Sequence, residues 1–89
     1  LGFFFNQPLN TGVLPQFLVH LNLGFVFNQS LKPIVLPSTL QYIVFGKYFN
    51  KKIEKYVLPS GLKMIRVYKN NKNKFLPEHL PENCVVELY

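Results

Sequence analysis

One period dominates this chain of 89 residues: the same residues return every 22 positions. Leu14-Pro15, Leu36-Pro37 and Leu58-Pro59 are spaced by 22, and so are Phe5-Asn6, Phe27-Asn28 and Phe49-Asn50. The columns Leu9/Leu31/Ile53, Leu18/Leu40/Leu62 and Leu21/Ile43/Ile65 keep the same step. Leu1, Leu23, Phe45 and Val67 open successive units, and Gly2, Gly24 and Gly46 follow the first three. A period in the range of 20–50 residues marks a stacked array, because one such unit cannot bury its apolar face alone. The units run 1–22, 23–44 and 45–66. Residues 67–89 are a degraded fourth repeat or a C-terminal cap, since a last unit has no successor to cover it.

Within each unit the residues point to a short strand followed by a bent return. Leu40-Gln41-Tyr42-Ile43-Val44-Phe45 ends in alternation, with Ile43 and Phe45 on one face, and Val19–Leu23 and Lys63–Val67 read alike. β-branched and aromatic residues in alternation make a strand. Gly24 and Gly46 end the strand where a tight turn needs a permissive backbone. Pro37 stops a helix from running on. Stacked units pair their strands in parallel, each about 4.8 Å from the next. Phe5, Phe27 and Phe49 then form an internal spine. Asn6, Asn28 and Asn50 form a ladder of amides that bond a neighbour's backbone. Leu14, Leu36 and Leu58 complete the inward set. A β-hairpin turn at each Phe-Asn is the competing reading, but identity at seven columns argues against it. The chain has no alanine and no tryptophan, and the missing alanine also disfavours a helical fold. The expected fold class is a β-rich repeat solenoid with one short parallel strand per coil.

The fourth unit holds two competing phases. Leu80-Pro81 keeps the step of 22, whereas Leu76-Pro77-Glu78-His79-Leu80 carries the full Leu-Pro-x-x-Leu pattern four residues early. The sequence does not choose between them.

The segments Gly24-Phe25-Val26-Phe27-Asn28-Gln29-Ser30-Leu31 and Leu36-Pro37-Ser38-Thr39-Leu40 resemble the FNIP repeat. That family is a leucine-rich-repeat-like module of social amoebae and the giant viruses that infect amoebae. Phe5-Asn6-Gln7-Pro8-Leu9 carries its core nearly intact, while Lys51-Lys52 replaces the usual Gln-Pro in the third unit. The resemblance implies a right-handed, leucine-rich-repeat-like solenoid with no catalytic residues and no cofactor. It implies an intracellular, cytoplasmic setting in an amoeba or its infected cell. It further implies a protein-interaction role, as the substrate-binding part of a larger F-box-type protein.

Chemistry-bearing residues are sparse. There is no aspartate, and His20 and His79 lie in different columns without a neighbouring ligand at metal spacing. Glu78 and Glu82 flank Pro81 and read as surface groups beside Glu54 and Glu87. Cys84 falls in the column of Leu18, Leu40 and Leu62, so it reads as a core residue, and a single cysteine forms no internal disulfide. No apolar run reaches the roughly 18 residues of a membrane span. A chain opening on Leu1 has no initiator methionine and no leader pattern, and it reads as an internal or C-terminal piece of a longer array.

The expected binding surface is the outward face of the strands. With Leu21/Leu23, Ile43/Phe45 and Ile65/Val67 turned inward, the outward columns are His20-Tyr42-Met64-Val86 and Asn22-Val44-Arg66-Leu88. His20, Asn22, Tyr42, Val44, Met64 and Arg66 are the candidate partner-binding residues, since tyrosine, methionine and arginine are enriched at interfaces. The competing partner is nucleic acid or another anionic surface. The net charge of +6 is concentrated in the second half, where Lys47, Lys51, Lys52, Lys55, Lys69, Lys72 and Lys74 lie. Lysine outnumbers arginine nine to one, which suits a solvated surface better than base readout. A structural spacer with no partner is the third reading. A small-molecule ligand is not expected.

Overall fold

The computed structural model describes residues 1–89 as one stacked series of coils around a four-stranded parallel sheet. The strands β1 (His20–Asn22), β2 (Tyr42–Val44), β3 (Met64–Val67) and β4 (Val85–Leu88) lie side by side in chain order. The returns between the first three strands are irregular. The last return contains two 3-10 helices, Lys69–Lys74 and Pro77–His79.

The period in the sequence becomes the register of the sheet. Leu21 faces Ile43 across the first junction, and Ile43 faces Ile65 across the second. All three are buried, as are Leu23, Phe45 and Val67 at the second inward position. The strands are shorter than the alternating stretches suggest. The N–H groups of Gln41 and Tyr42 both bond Val19 O, and those of Lys63 and Met64 both bond Gln41 O. Sharing one acceptor kinks the chain just before each strand.

Each coil turns into its strand at a proline. The N–H groups of Leu18, Leu40 and Leu62 bond the carbonyls of Pro15, Pro37 and Pro59. Cys84 N–H bonds Pro81 O in the same way. Leu80 N–H bonds Pro77 O likewise, so both motifs close the turn one after the other, and it is the second, at Leu80-Pro81, that leads directly into β4. Leu76-Pro77 also has a separate use, with Pro77 at the start of the second 3-10 helix, where its missing N–H is no loss.

The phase then slips by one residue. One residue separates Leu62 from β3, but Val85 follows Cys84 directly. As a result Met64 pairs with Val85, Ile65 with Val86, Arg66 with Glu87 and Val67 with Leu88. Because side chains alternate along a strand, a slip of one exchanges the two faces. Val86 and Leu88, expected outward, lie in the inward columns of Ile65 and Val67. Val85 and Glu87 take the outward places.

The glycines also act differently from the sequence reading. Gly24 has φ +95, as a tight turn requires, but Gly46 does not enter the left-handed region. A Cβ on Gly46 would stand 2.1 Å from Gly24 O, and one on Gly24 would stand 2.4 Å from Gly2 O. Close approach of successive backbones explains the column better than turn conformation does.

A second backbone column was not read from the sequence. Gly12, Ile34 and Tyr56, again 22 apart, all have positive φ, at 85, 63 and 68 degrees. The bend there needs a left-handed residue, and only the first coil supplies glycine.

Inside the coils, Phe5 stacks on Phe27 at 6.0 Å and Phe27 on Phe49 at 6.2 Å, with rings within 4 degrees of parallel. The core around this stack includes Leu9, Leu14, Leu31, Leu36, Ile53 and Leu58, and no polar side chain is buried in it. Asn6 Oδ1 accepts the N–H of Asn28 at 2.8 Å, and Asn28 Oδ1 accepts that of Asn50 at 2.9 Å. In the fourth coil this pattern stops. Phe75 closes the stack, 6.1 Å from Phe49 and tilted by 40 degrees, and Asn71 Nδ2 donates to Lys47 O instead. Phe75 falls in the column of Leu9, Leu31 and Ile53, 22 residues after Ile53, but its ring caps the phenylalanine stack.

Candidate functional site

The outward columns of the sheet place all six candidate residues on one face. His20, Tyr42 and Met64 are paired neighbours in one row, and Asn22, Val44 and Arg66 form the other. Each is at least partly exposed. The His20 and Tyr42 rings meet edge to face at 5.6 Å. With Gln41, Lys63 and Met64 they border a shallow depression of about 370 Å³.

The second row opens into a larger trench of about 460 Å³ at the C-terminal ends of the strands. Asn22, Val44 and Arg66 form one wall, the glycine column forms the floor, and Phe3, Phe25 and Tyr89 stand around it. Phe3 and Phe25 stack at 4.8 Å along its rim.

Arg66 does not stand free. Its Nε lies 3.0 Å from Glu87 Oε1, with both side chains about half exposed, and its guanidinium sits 4.9 Å from the centre of the Tyr89 ring. Solvent screening keeps such a pair weak, at about 0–1 kcal/mol. Tyr89 Oη donates to Phe45 O at 2.6 Å. Burial raises the Tyr89 hydroxyl pKa above its usual value, which the Arg66 charge partly opposes. The phenol therefore stays protonated and keeps its bond to Phe45. Glu87 and Tyr89 were not expected at this face, because the 22-residue frame set them in the inward columns of Ile65 and Val67. A charged residue in an inward column, between apolar Val86 and Leu88, is the signal that could have shown the slip.

No three His, Cys, Asp or Glu side chains come together to hold a metal ion. His79 Nδ1 lies 3.0 Å from Ile53 O, tied to the backbone of the preceding coil. Cys84 packs half-buried against the core, and burial pushes its thiol pKa up, which makes it a poor nucleophile. The lysines of the last two coils lie on adjoining returns, since Asn71 Nδ2 donates to Lys47 O and the Ile53 N–H donates to Lys74 O. Lys47 reaches over the Tyr68 ring at 5.7 Å and Lys55 over the Tyr56 ring at 5.1 Å, while Lys69, Lys72 and Lys74 belong to the 3-10 helix. No helix is long and apolar enough to cross a membrane.

Short parallel strands in sequence order, a 22-residue step and a leucine-rich core define a leucine-rich-repeat-like solenoid. Folds of this kind serve generally as protein-interaction scaffolds, because stacking gives an extended face for a partner. Residues 5–48 match the family model of the FNIP repeat, and the chain carries FNIP repeats. A solved structure, that of CroV588, described as a novel circular leucine-rich-repeat protein, is similar over nearly the whole chain. It shares 29% identity over 99% of this chain, with a TM-score of 0.64. The chain spans 16% of that protein's length. No curated protein matches the chain.

Proposed function

We propose that the chain is a non-catalytic scaffold that binds a protein partner through the outward face of its sheet. Tyr42, Met64 and Arg66 form the centre of the contact, with His20, Asn22 and Val44 around them. The observation that carries this reading is the composition of that face. Aromatic, thioether and aliphatic side chains lie partly exposed beside one arginine, in two rows across parallel strands. Aromatic residues, methionine and arginine are enriched at protein interfaces. In a larger F-box-type protein this face would hold the substrate.

The test places a photoreactive residue at Tyr42 and, as a control, at the distant Tyr56. A protein captured from position 42 is then purified and titrated against variants. Tyr42→Ala, Met64→Ala and Arg66→Ala together are expected to weaken it by more than tenfold. Replacing Lys51, Lys52 and Lys55 by glutamine should leave affinity unchanged. Full affinity of the triple alanine variant for every captured partner overturns the assignment.

A further inference from the structure

The returns of the third and fourth coils carry an inference that does not depend on the strand face. Residues 45–77 hold nine basic side chains and one acidic side chain, Glu54. The ion pair of the chain, Arg66 with Glu87, uses none of the lysines. The 22-residue step sets Lys47 in the column of Lys69 and Lys52 in that of Lys74, with Lys51 and Lys72 between. The backbones meet as that step implies. Asn71 Nδ2 donates to Lys47 O at 2.9 Å, and the Ile53 N–H donates to Lys74 O at 3.0 Å. Like charges on neighbouring segments repel, yet these six ammonium groups share two adjoining returns with no carboxylate paired to any of them.

Lys47 and Lys52 are exposed although coils lie on both sides of them. The lysine columns therefore run along the outer side of the returns. Lys69 and Lys72 are exposed as well, and Lys51 and Lys74 partly so. Lys47 Nζ reaches into the fourth coil, 5.7 Å from the centre of the Tyr68 ring, whose residue directly precedes Lys69. Beside Lys47 in the chain, Tyr48 is 55% exposed. Phe25 meets the Tyr48 ring edge to face at 5.2 Å, and the Tyr48 N–H bonds Phe25 O. The ring is thus held in place while more than half of the residue faces solvent. Between the lysines stand Asn50, Asn70 and Asn73, all exposed, and no exposed aliphatic side chain.

We propose that the outer side of these returns binds single-stranded nucleic acid. The six lysines meet phosphates, and an unpaired base stacks on Tyr48. Ammonium groups act as point charges, which suits a phosphate backbone rather than base edges. A charged track beside an exposed aromatic ring is what sequence-tolerant binding of a single strand needs, since every base offers a face to stack. A duplex keeps those faces inside its own stack. The asparagines add amide donors for phosphate and sugar oxygens. A lipid surface fits less well, because the patch has no aliphatic side chain to insert below the headgroups.

Fluorescence anisotropy with labelled oligo(dT) and oligo(U), titrated over a range of salt, tests the proposal. The chain should bind one or both more tightly than duplex DNA, with an affinity that falls as salt rises. Lys47→Gln, Lys52→Gln and Lys69→Gln should each reduce the slope of log affinity against log salt by about 0.7. Lys63→Gln removes the same charge at the opposite end of β3 and should leave the slope unchanged. Tyr48→Ala should weaken oligonucleotide binding about fivefold or more, while heparin, a polyanion without bases, stays bound as before. All these positions are exposed, so far-UV circular dichroism should match the parent. A parent chain that binds neither oligonucleotide at low salt overturns the proposal, whether or not the variants fold. Capture by phosphatidylserine vesicles without oligonucleotide binding does so too and assigns the surface to a membrane. Tighter binding of the duplex, equal effects of Lys47→Gln and Lys63→Gln on the slope, or a folded Tyr48→Ala that binds oligonucleotides as the parent does each overturn it as well.

Discussion

Replacing Asn28 by alanine removes one bond, and its cost follows from the ladder. Asn28 Oδ1 accepts the N–H of Asn50 at 2.9 Å, while Asn28's own N–H is held by Asn6 Oδ1. The substitution takes away the first bond and leaves the second. A hydrogen bond of this kind contributes about 1 kcal/mol net, and an orphaned buried donor costs up to about 3. This bond is exposed, so water reaches the freed N–H and the cost stays near about 1 kcal/mol. For a domain of this size that lowers Tm by roughly 4–8 °C. Asn50 is the internal control, since no donor reaches its Oδ1 and the fourth coil has no asparagine N–H in that place. Asn50→Ala is expected to cost under about 0.5 kcal/mol. Asn28→Asp should keep most of the stability, because the ladder uses only the acceptor oxygen. Urea unfolding followed by circular dichroism measures all three. Equal losses for Asn28→Ala and Asn50→Ala would refute the ladder as a source of stability.

Three other substitutions probe separate features. Gly46→Ala sets a Cβ 2.1 Å from Gly24 O, so it should cost more than about 3 kcal/mol; Gly2→Ala meets nothing within 4 Å, and the two melting temperatures should differ accordingly. Ile34 has φ 63 and is 76% exposed. Ile34→Gly should raise stability by about 1 kcal/mol, the relief of left-handed strain exceeding the entropic cost of glycine. Cys84, whose thiol pKa is raised by burial, should react with a maleimide at pH 8 several-fold more slowly than in urea. Its rate should climb as pH rises past the usual thiol range, because only the thiolate attacks.

Much of the fold could be read from the repeat because each column meets its own copy in the next coil. Phe27 lies on Phe5 and under Phe49 because all three hold the same place in identical turns. The asparagine bonds span 22 residues for the same reason. The candidate face was legible for three strands, where Tyr42 faces both His20 and Met64. It was misread at the fourth, because a missing residue between Cys84 and β4 reverses Val86 and Leu88 without changing the composition.

The sequence by itself therefore determined the coil, the stacking direction and the residues that fill the interior, since exact periodicity imposes equivalent surroundings. It also excluded aspartate chemistry and an internal disulfide by composition alone. Tertiary structure decided what has no copy elsewhere in the chain. Phe75, in the column of Leu9, Leu31 and Ile53, closes the ring stack because a 3-10 return brings it against Phe45 and Phe49. Glu87 and Tyr89 restrain Arg66 because the slipped strand sets them beside it. Gly46 is glycine because the neighbouring carbonyl of Gly24 leaves no room, a distance that exists only once the coils are stacked.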